Sequence, residues 1–167
     1  GHAKGVWQWA TADRVMDQID AHGLKVIARL GAQPAWASSL ALPEVGPPDR
    51  MQDFYDYVYA VASRYKGRIE AYQIWNEPNL AREWGNNPPN PAEYTEMLKI
   101  GYQAVKAADP RAIVITAGLA PTTRNDTVAM PDTYFIQGMY DAGATVYFDA
   151  LGVHASGYKA APETDPA

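Results

Sequence analysis

Apolar residues along this chain fall into two alternating patterns, stripes at helical spacing and short unbroken runs, and the alternation sets the order of elements. Val15, Met16 and Ile19 form one helical stripe after Thr11, a residue type suited to an N-cap, and Gly23 supplies a stop. A helix of about three turns is expected there. Leu24 to Leu30 then reads as a strand, with Leu24, Val26, Ala28 and Leu30 on one face and Ile27 on the other, as in a strand buried on both sides. After the turn-rich Pro43 to Pro48 comes a second helical stripe of Met51, Phe54, Tyr55, Val58, Val61, Ala62 and Tyr65. Asp49 and Gln52 open it like a capping box and Gly67 ends it, so the stripe is core.

The pattern then repeats. Ile69 to Trp75 is short, aromatic and β-branched, which suits a buried strand of a parallel sheet. Asn90-Pro91-Ala92-Glu93 combines an N-cap, a proline at the first helical position and a capping-box glutamate. Tyr94, Met97, Leu98, Val105 and Ala108 give that helix its buried face, and Asp109-Pro110 ends it. Ala112 to Ala117 is the next strand, Gly118 to Pro121 turns out of it, and the polar stretch to Pro131 is loop. Asp132 caps a helix with Phe135, Ile136, Met139 and Tyr140 inward and Gly143 as its stop. Phe148 to Val153 is a last strand, ending at His154.

Strands alternating with helices, joined by crossovers long enough for parallel pairing, define an α/β protein, either a barrel or a doubly wound sheet. No glycine-rich phosphate fingerprint follows any strand, which weighs against a nucleotide-binding sheet. The 167 residues, 47% of them apolar, are ordinary for one globular domain spanning 1–167, but fall short of the roughly 250 residues of a complete eight-stranded barrel.

A net charge of −5 without any Lys/Arg run argues against nucleic acid or an anionic membrane as partner. No apolar run approaches the ~20 residues of a membrane span. The absence of cysteine removes disulfides and thiolate chemistry and leaves the compartment open; the first residues lack a signal-peptide pattern, so localisation is not read from the sequence. His2, His22 and His154 share no ligand spacing, and neither a metal nor another cofactor is expected. The 11 tyrosines and 5 tryptophans are many for this length; such rings suit sugar faces as well as cores, the core being the default.

Chemistry concentrates in Tyr72-Gln73-Ile74-Trp75-Asn76-Glu77-Pro78-Asn79. Pro78 pushes Glu77 toward an extended conformation and stops the ladder, leaving Asn76 and Glu77 at the carboxyl end of the strand. That is the end at which α/β barrels and open sheets place their chemistry. A lone glutamate there more often caps a helix or pairs with arginine, but Trp75, Asn76 and Asn79 beside it tilt the reading toward an acid or base. Arg29, near the end of the preceding strand, is either a substrate ligand or, by slight preference, a structural ion-pair partner for Glu77. Trp36, in the loop after that strand, stacks on a ligand or packs against the protein surface. Trp84, in the long loop Asn79 to Pro89, walls a substrate cleft or anchors the loop.

At these residues the chain resembles a known family. Trp75-Asn76-Glu77-Pro78-Asn79 after a strand is similar to the acid/base motif of the clan A retaining glycoside hydrolases, built on (β/α)8 barrels, and the flanks resemble its family 39 β-xylosidase-like and family 5-like members. The resemblance implies a partial TIM barrel, about strands three to six with their helices, and a carbohydrate substrate. It implies that Glu77 is the general acid/base and that Asn76 hydrogen-bonds the sugar 2-hydroxyl. Gly31 to Ser38 resembles the Pro-x-Trp loop after the third strand, which gives Trp36 its stacking role, and Phe148 to His154 resembles the sixth strand, whose terminal histidine faces the sugar. Many relatives carry, two residues later, a tyrosine that touches the nucleophile; here the chain departs from that pattern, with Ser156 at the position and Tyr158, a candidate substrate ligand, two further on.

In that clan the attacking carboxylate comes from the seventh strand. Glu44 and Glu83 lie in loops, Glu70 at a strand start, Glu93 and Glu96 in a helix and Glu163 in the tail, so none sits where a nucleophile should. The expectation is half an active site, paired through open sheet edges with the remaining barrel strands or with a second copy. A non-catalytic carbohydrate-binding protein and a structural half-barrel are the alternatives.

Overall fold

The computed structural model describes residues 3–40 and 42–155. Its elements in chain order are α1 (Ala10–Ala21), β1 (Ile27–Leu30), α2 (Met51–Arg64), β2 (Ala71–Ile74), α3 (Pro91–Ala108), β3 (Ile113–Ile115) and α4 (Asp132–Asp141), with short 3-10 turns between them. The strands form a three-stranded parallel sheet in the order β1-β2-β3, with Ile27 opposite Ala71 and Ala71 opposite Ile113. This is the α/β unit expected from the alternating pattern, with α2 and α3 as crossovers.

The register separates the two faces of the sheet. Tyr72, Ile74 and Val114 point to the helices and are fully buried with Val58, Met97, Leu98 and Val105. Ile27, Arg29, Gln73, Ile113 and Ile115 share the opposite face. There Ile27 is 67% and Ile113 45% exposed, so the expectation that the first strand is buried on both sides is corrected. Among the described residues β1 has a strand on one side only.

The run Phe148 to Val153 lies beside β3 in the parallel sense, but as two isolated bridges, Ile115 to Ala150 and Leu119 to Val153, not as a continuous strand. Side chains add to the backbone bonds that remain, the Asp149 and Ala150 amides on the Val114 carbonyl and the Thr116 amide on that of Ala150. The Asp149 carboxylate accepts the Val114 amide at 2.8 Å, and the Thr116 hydroxyl accepts that of Gly152 at 2.8 Å. Glycine is required at 152, because a Cβ there would come within 2.4 Å of the Thr116 carbonyl oxygen.

Caps differ from the sequence pattern where a side chain finds a better partner. Trp9, not Thr11, stands at the N-cap of α1, and Arg50 at that of α2, neither with a side-chain cap. Asp49 instead accepts the Ser39 amide and hydroxyl, each at 3.0 Å. Asn90 caps α3 as expected, accepting the amides of Ala92 and Glu93 at 3.2 Å each. Glu93 uses its carboxylate to take the Trp84 indole N–H at 3.1 Å. Helix α1 buries only Met16 and is tied on by charge, with Arg64 forked onto Asp13 at 2.8 and 2.5 Å and Arg68 reaching Asp17 and Asp20.

Two buried tyrosines make an opposed pair of predictions. The Tyr94 hydroxyl donates to the Ile74 carbonyl at 2.9 Å and accepts the Ala117 amide at 2.6 Å, tying the ends of two strands together. The Tyr72 hydroxyl is buried without a hydrogen-bond partner. Burial pushes both phenols above the ordinary tyrosine range. Tyr94→Phe orphans two backbone groups and is expected to cost about 2 to 3 kcal/mol in urea unfolding, whereas Tyr72→Phe should be neutral or stabilise by about 1 kcal/mol. Equal losses in the two variants would refute this account.

Acid should destabilise the fold through Asp109 and Asp149. Burial pushes both carboxyls upward, but the Gly67 and Arg111 amides on Asp109, and Lys106 with the Val114 amide on Asp149, outweigh it and hold both below the usual aspartate range. A carboxyl depressed in the folded state contributes stability that is complete above its unfolded pKa and lost as pH falls through the folded one. Unfolding free energy should therefore drop below about pH 4, with a shallower slope in Asp149→Asn.

Candidate active site

The site begins where β2 ends. Trp75 has φ 70° and Glu77 φ 43°, both in the left-handed region that bulky side chains avoid. The extended conformation that Pro78 would favour at Glu77 is therefore not found. Tertiary bonds override it: the Glu77 amide donates to the Gly118 carbonyl at 3.0 Å, and the Glu77 carbonyl accepts the Leu80 amide at 2.9 Å. The chain turns at once instead of running on as a strand.

Trp75 is buried beneath the turn, its indole N–H on the Glu83 carbonyl at 2.8 Å and its ring edge-on to Trp84 at 5.9 Å. The Glu77 side chain, 18% exposed, is met by polar groups. His154 Nδ1 lies 2.9 Å from Glu77 Oε1, and Arg82 Nη2 stands 3.7 Å from Oε2. The Arg82 contact is loose, since that side chain is 72% exposed and solvent screens it. A side chain on Gly118 would strike the His154 ring at 2.4 Å, so this glycine lets the imidazole lie against the backbone that also binds the Glu77 amide.

Beside Glu77, the amide of Asn76 is held at both ends. Arg29 donates to its Oδ1 at 2.8 Å, and its Nδ2 donates to Glu83 Oε2 at 3.3 Å. Arg29, Asn76, Glu77, Arg82, Glu83 and His154 are thus drawn from separate elements into one group at the carboxyl end of the sheet.

Several expectations change. Arg29 pairs with Asn76, not with Glu77, because the turn at Glu77 carries its carboxyl toward Gly118 and His154. His154, expected to face the sugar, is half-buried against Glu77. Trp84 is fully buried against Trp75 and Tyr94 and bonded to Glu93, which makes it a loop anchor with no surface left to wall a cleft. Trp36 is exposed on the turn Ala35–Ala37 and lines a cavity of ≈ 820 Å³ with Trp7 and Trp9, among whose lining residues Asn76, Glu77 and His154 do not appear. Ser156 and Tyr158 lie outside the described residues.

Sequence reasoning missed Glu83 and Arg82 as members of the group. The available signal was their position in a loop between Glu77 and an aromatic anchor. It also missed the structural weight of Asn79, which is fully buried and bonds the Ala120 amide and carbonyl and the Met130 carbonyl at 2.8 to 3.0 Å. Among the described residues no group of three or more His, Asp or Glu could hold a metal ion, and no helix is long and apolar enough to cross a membrane.

A parallel β/α sheet with its polar group gathered at the carboxyl ends of the strands is part of a TIM barrel of the kind found in glycoside hydrolases. Solved structures bear this out. The family 39 β-xylosidase from Caulobacter crescentus matches 92% of this chain at a TM-score of 0.69 and 21% identity, over 35% of its own length. A family 39 glycoside hydrolase from Bacteroides cellulosilyticus WH2 matches 92% at a TM-score of 0.63 and 21% identity, over 29% of its length. The family 10 (GH10) structure from Paenibacillus barcinonensis matches 90% at 0.58 and 16% identity, over 48% of its length. At these identities the likeness is one of fold, and the chain spans less than half of each protein. Neither a family model nor a curated protein matches the sequence.

Proposed function

We propose that this chain carries the acid/base half of a retaining glycoside hydrolase acting on β-linked sugars, with β-xylosides the first class to test given the names of the fold's relatives. The observation that carries the reading is the Glu77 carboxyl, delivered at the end of β2 and held 2.9 Å from His154. Retention needs one carboxyl to protonate the leaving oxygen and later take a proton from water, while a second, about 5 Å away, attacks the anomeric carbon. Glu77 is assigned the first task. His154 suits the state in which Glu77 is ionised, because an Nδ1–H donates to the carboxylate and fixes its orientation. Asn76 is assigned the sugar 2-hydroxyl.

The nucleophile is assigned to a further strand of the barrel. The apolar, open sheet face at Ile27 and Ile113 and the free edge of β1 support completion by more β/α units, with pairing to a second copy as the other outcome. The test is to assay the chain on aryl β-xylosides alone and after mixing with a polypeptide that supplies the missing strands. Hydrolysis that appears on mixing supports the proposal. Sugar binding by the mixture without turnover would turn the reading to a non-catalytic carbohydrate-binding protein, and neither binding nor turnover to a structural half-barrel.

A further inference from the structure

We propose that Glu83 is a positioning residue that, with Arg29, fixes which way the Asn76 amide faces; the consequence for sugar binding rests on the role given to Asn76 above. A carboxamide has an acceptor end and a donor end of nearly equal size, and packing alone rarely chooses between them. Here the partners choose. A guanidinium only donates, so the atom 2.8 Å from Arg29 Nη1 must be the amide oxygen. An ionised carboxylate only accepts, so the atom 3.3 Å from Glu83 Oε2 must be the amide nitrogen. The flipped amide would set N–H against guanidinium and oxygen against carboxylate, two repulsive contacts in place of two charge-assisted bonds.

Glu83 is itself firmly placed. Its backbone amide donates to Leu80 at 3.0 Å and its carbonyl accepts the Trp75 indole at 2.8 Å, while Trp84, next in the chain, is fully buried. Arg29 comes from β1 and Glu83 from the turn Ala81–Glu83, so the clasp closes across separate elements. It leaves Asn76 with one free N–H and one free oxygen lone pair in a set orientation. A sugar hydroxyl, donor and acceptor in one, can use both without the amide first having to turn, which is the advantage of a preorganised site.

The test uses nitrogen-15 NMR of this chain, with the Asn76 side-chain amide assigned through Asn76→Ala. Glu83→Ala should move that resonance toward the position of a solvated asparagine, while Glu83→Gln, whose carbonyl still accepts, should hold it. Should the alanine variant lose its backbone spectrum, Arg29→Ala reads the other half of the clasp. An Asn76 resonance indifferent to these changes overturns the proposal. In titrations of the chain completed by a polypeptide that supplies the remaining strands, with methyl β-xyloside and its 2-deoxy counterpart, Glu83→Ala should weaken the first by about tenfold and leave the second unchanged. Equal weakening of both would make Glu83 merely structural. A completed barrel that binds neither sugar would count against the glycosidase reading, while the amide resonances of the chain still decide the clasp.

Discussion

Glu77→Gln is expected to lower glycoside hydrolysis by the completed barrel by about 10²- to 10⁴-fold, the range over which a positioned acid/base accelerates proton transfer. The substitution isolates the proton. Glutamine matches glutamate in shape, and its carbonyl can still accept from His154 Nδ1, so the contact at 2.9 Å has a replacement and folding stability should change little. What is lost is the group to which the proposal gives protonation of the leaving oxygen and then deprotonation of water. Substrates whose leaving group departs readily as an anion need less protonation, so the variant's first step should suffer least on activated aryl glycosides and most on alkyl ones. Activity that survives the change on every leaving group would remove Glu77 from the mechanism.

Asn79→Ala should have the largest effect on stability, about 3 to 5 kcal/mol in urea unfolding followed by tryptophan fluorescence. The asparagine has no exposed surface and joins the turn after β2 to the segments at Ala120 and Met130. Alanine would leave an amide and two carbonyls buried with fewer partners, each costing about 1 to 3 kcal/mol, and such losses are less than additive within one network. That is a large share of the 5 to 15 kcal/mol that holds a typical domain together. Asn79→Asp should be nearly as harmful, since a carboxylate accepts the Ala120 amide but cannot donate to the two carbonyls. A loss below about 1 kcal/mol for alanine would show that these segments are held by other contacts.

The strain at Trp75 and Glu77 gives the asparagine its weight. Both hold positive φ, and such conformations persist only where surrounding bonds impose them. Asn79, the Gly118 carbonyl and the Trp75 indole supply those bonds. The kink they enforce turns Asn76 toward Arg29 and Glu83, and Glu77 toward His154. The geometry of the candidate site and local stability are thus two readings of one network.

Much of this was legible in the chain itself. Helical stripes and short β-branched runs report burial on one face or two, so the order of elements and the parallel sheet followed from period alone. Asn90 capped its helix because a side-chain oxygen two and three residues before free amides has a local partner whatever the rest of the chain does. Asn76 and Glu77 could be placed at the carboxyl end of a strand because Pro78 stops a ladder.

Contacts between residues distant in sequence were not legible. Asp49 chose Ser39 over the helix behind it and Glu93 chose Trp84, where the pattern allowed a local bond and a more distant partner offered another; Arg29 chose Asn76 over its neighbour Glu77, both far from it in sequence. The side chains of Asp149 and Thr116 likewise bond across to the neighbouring segment where a continuous strand was expected and bridges are found. The amino-acid sequence by itself determined the α/β order, the core stripes and the residue types of the site, because these depend on periodicity and local backbone preference. Only the tertiary structure decided that Glu77 turns to His154 with positive φ, that Glu83 joins the site and that Trp84 leaves it, because long-range hydrogen bonds outweigh the local preferences a sequence displays.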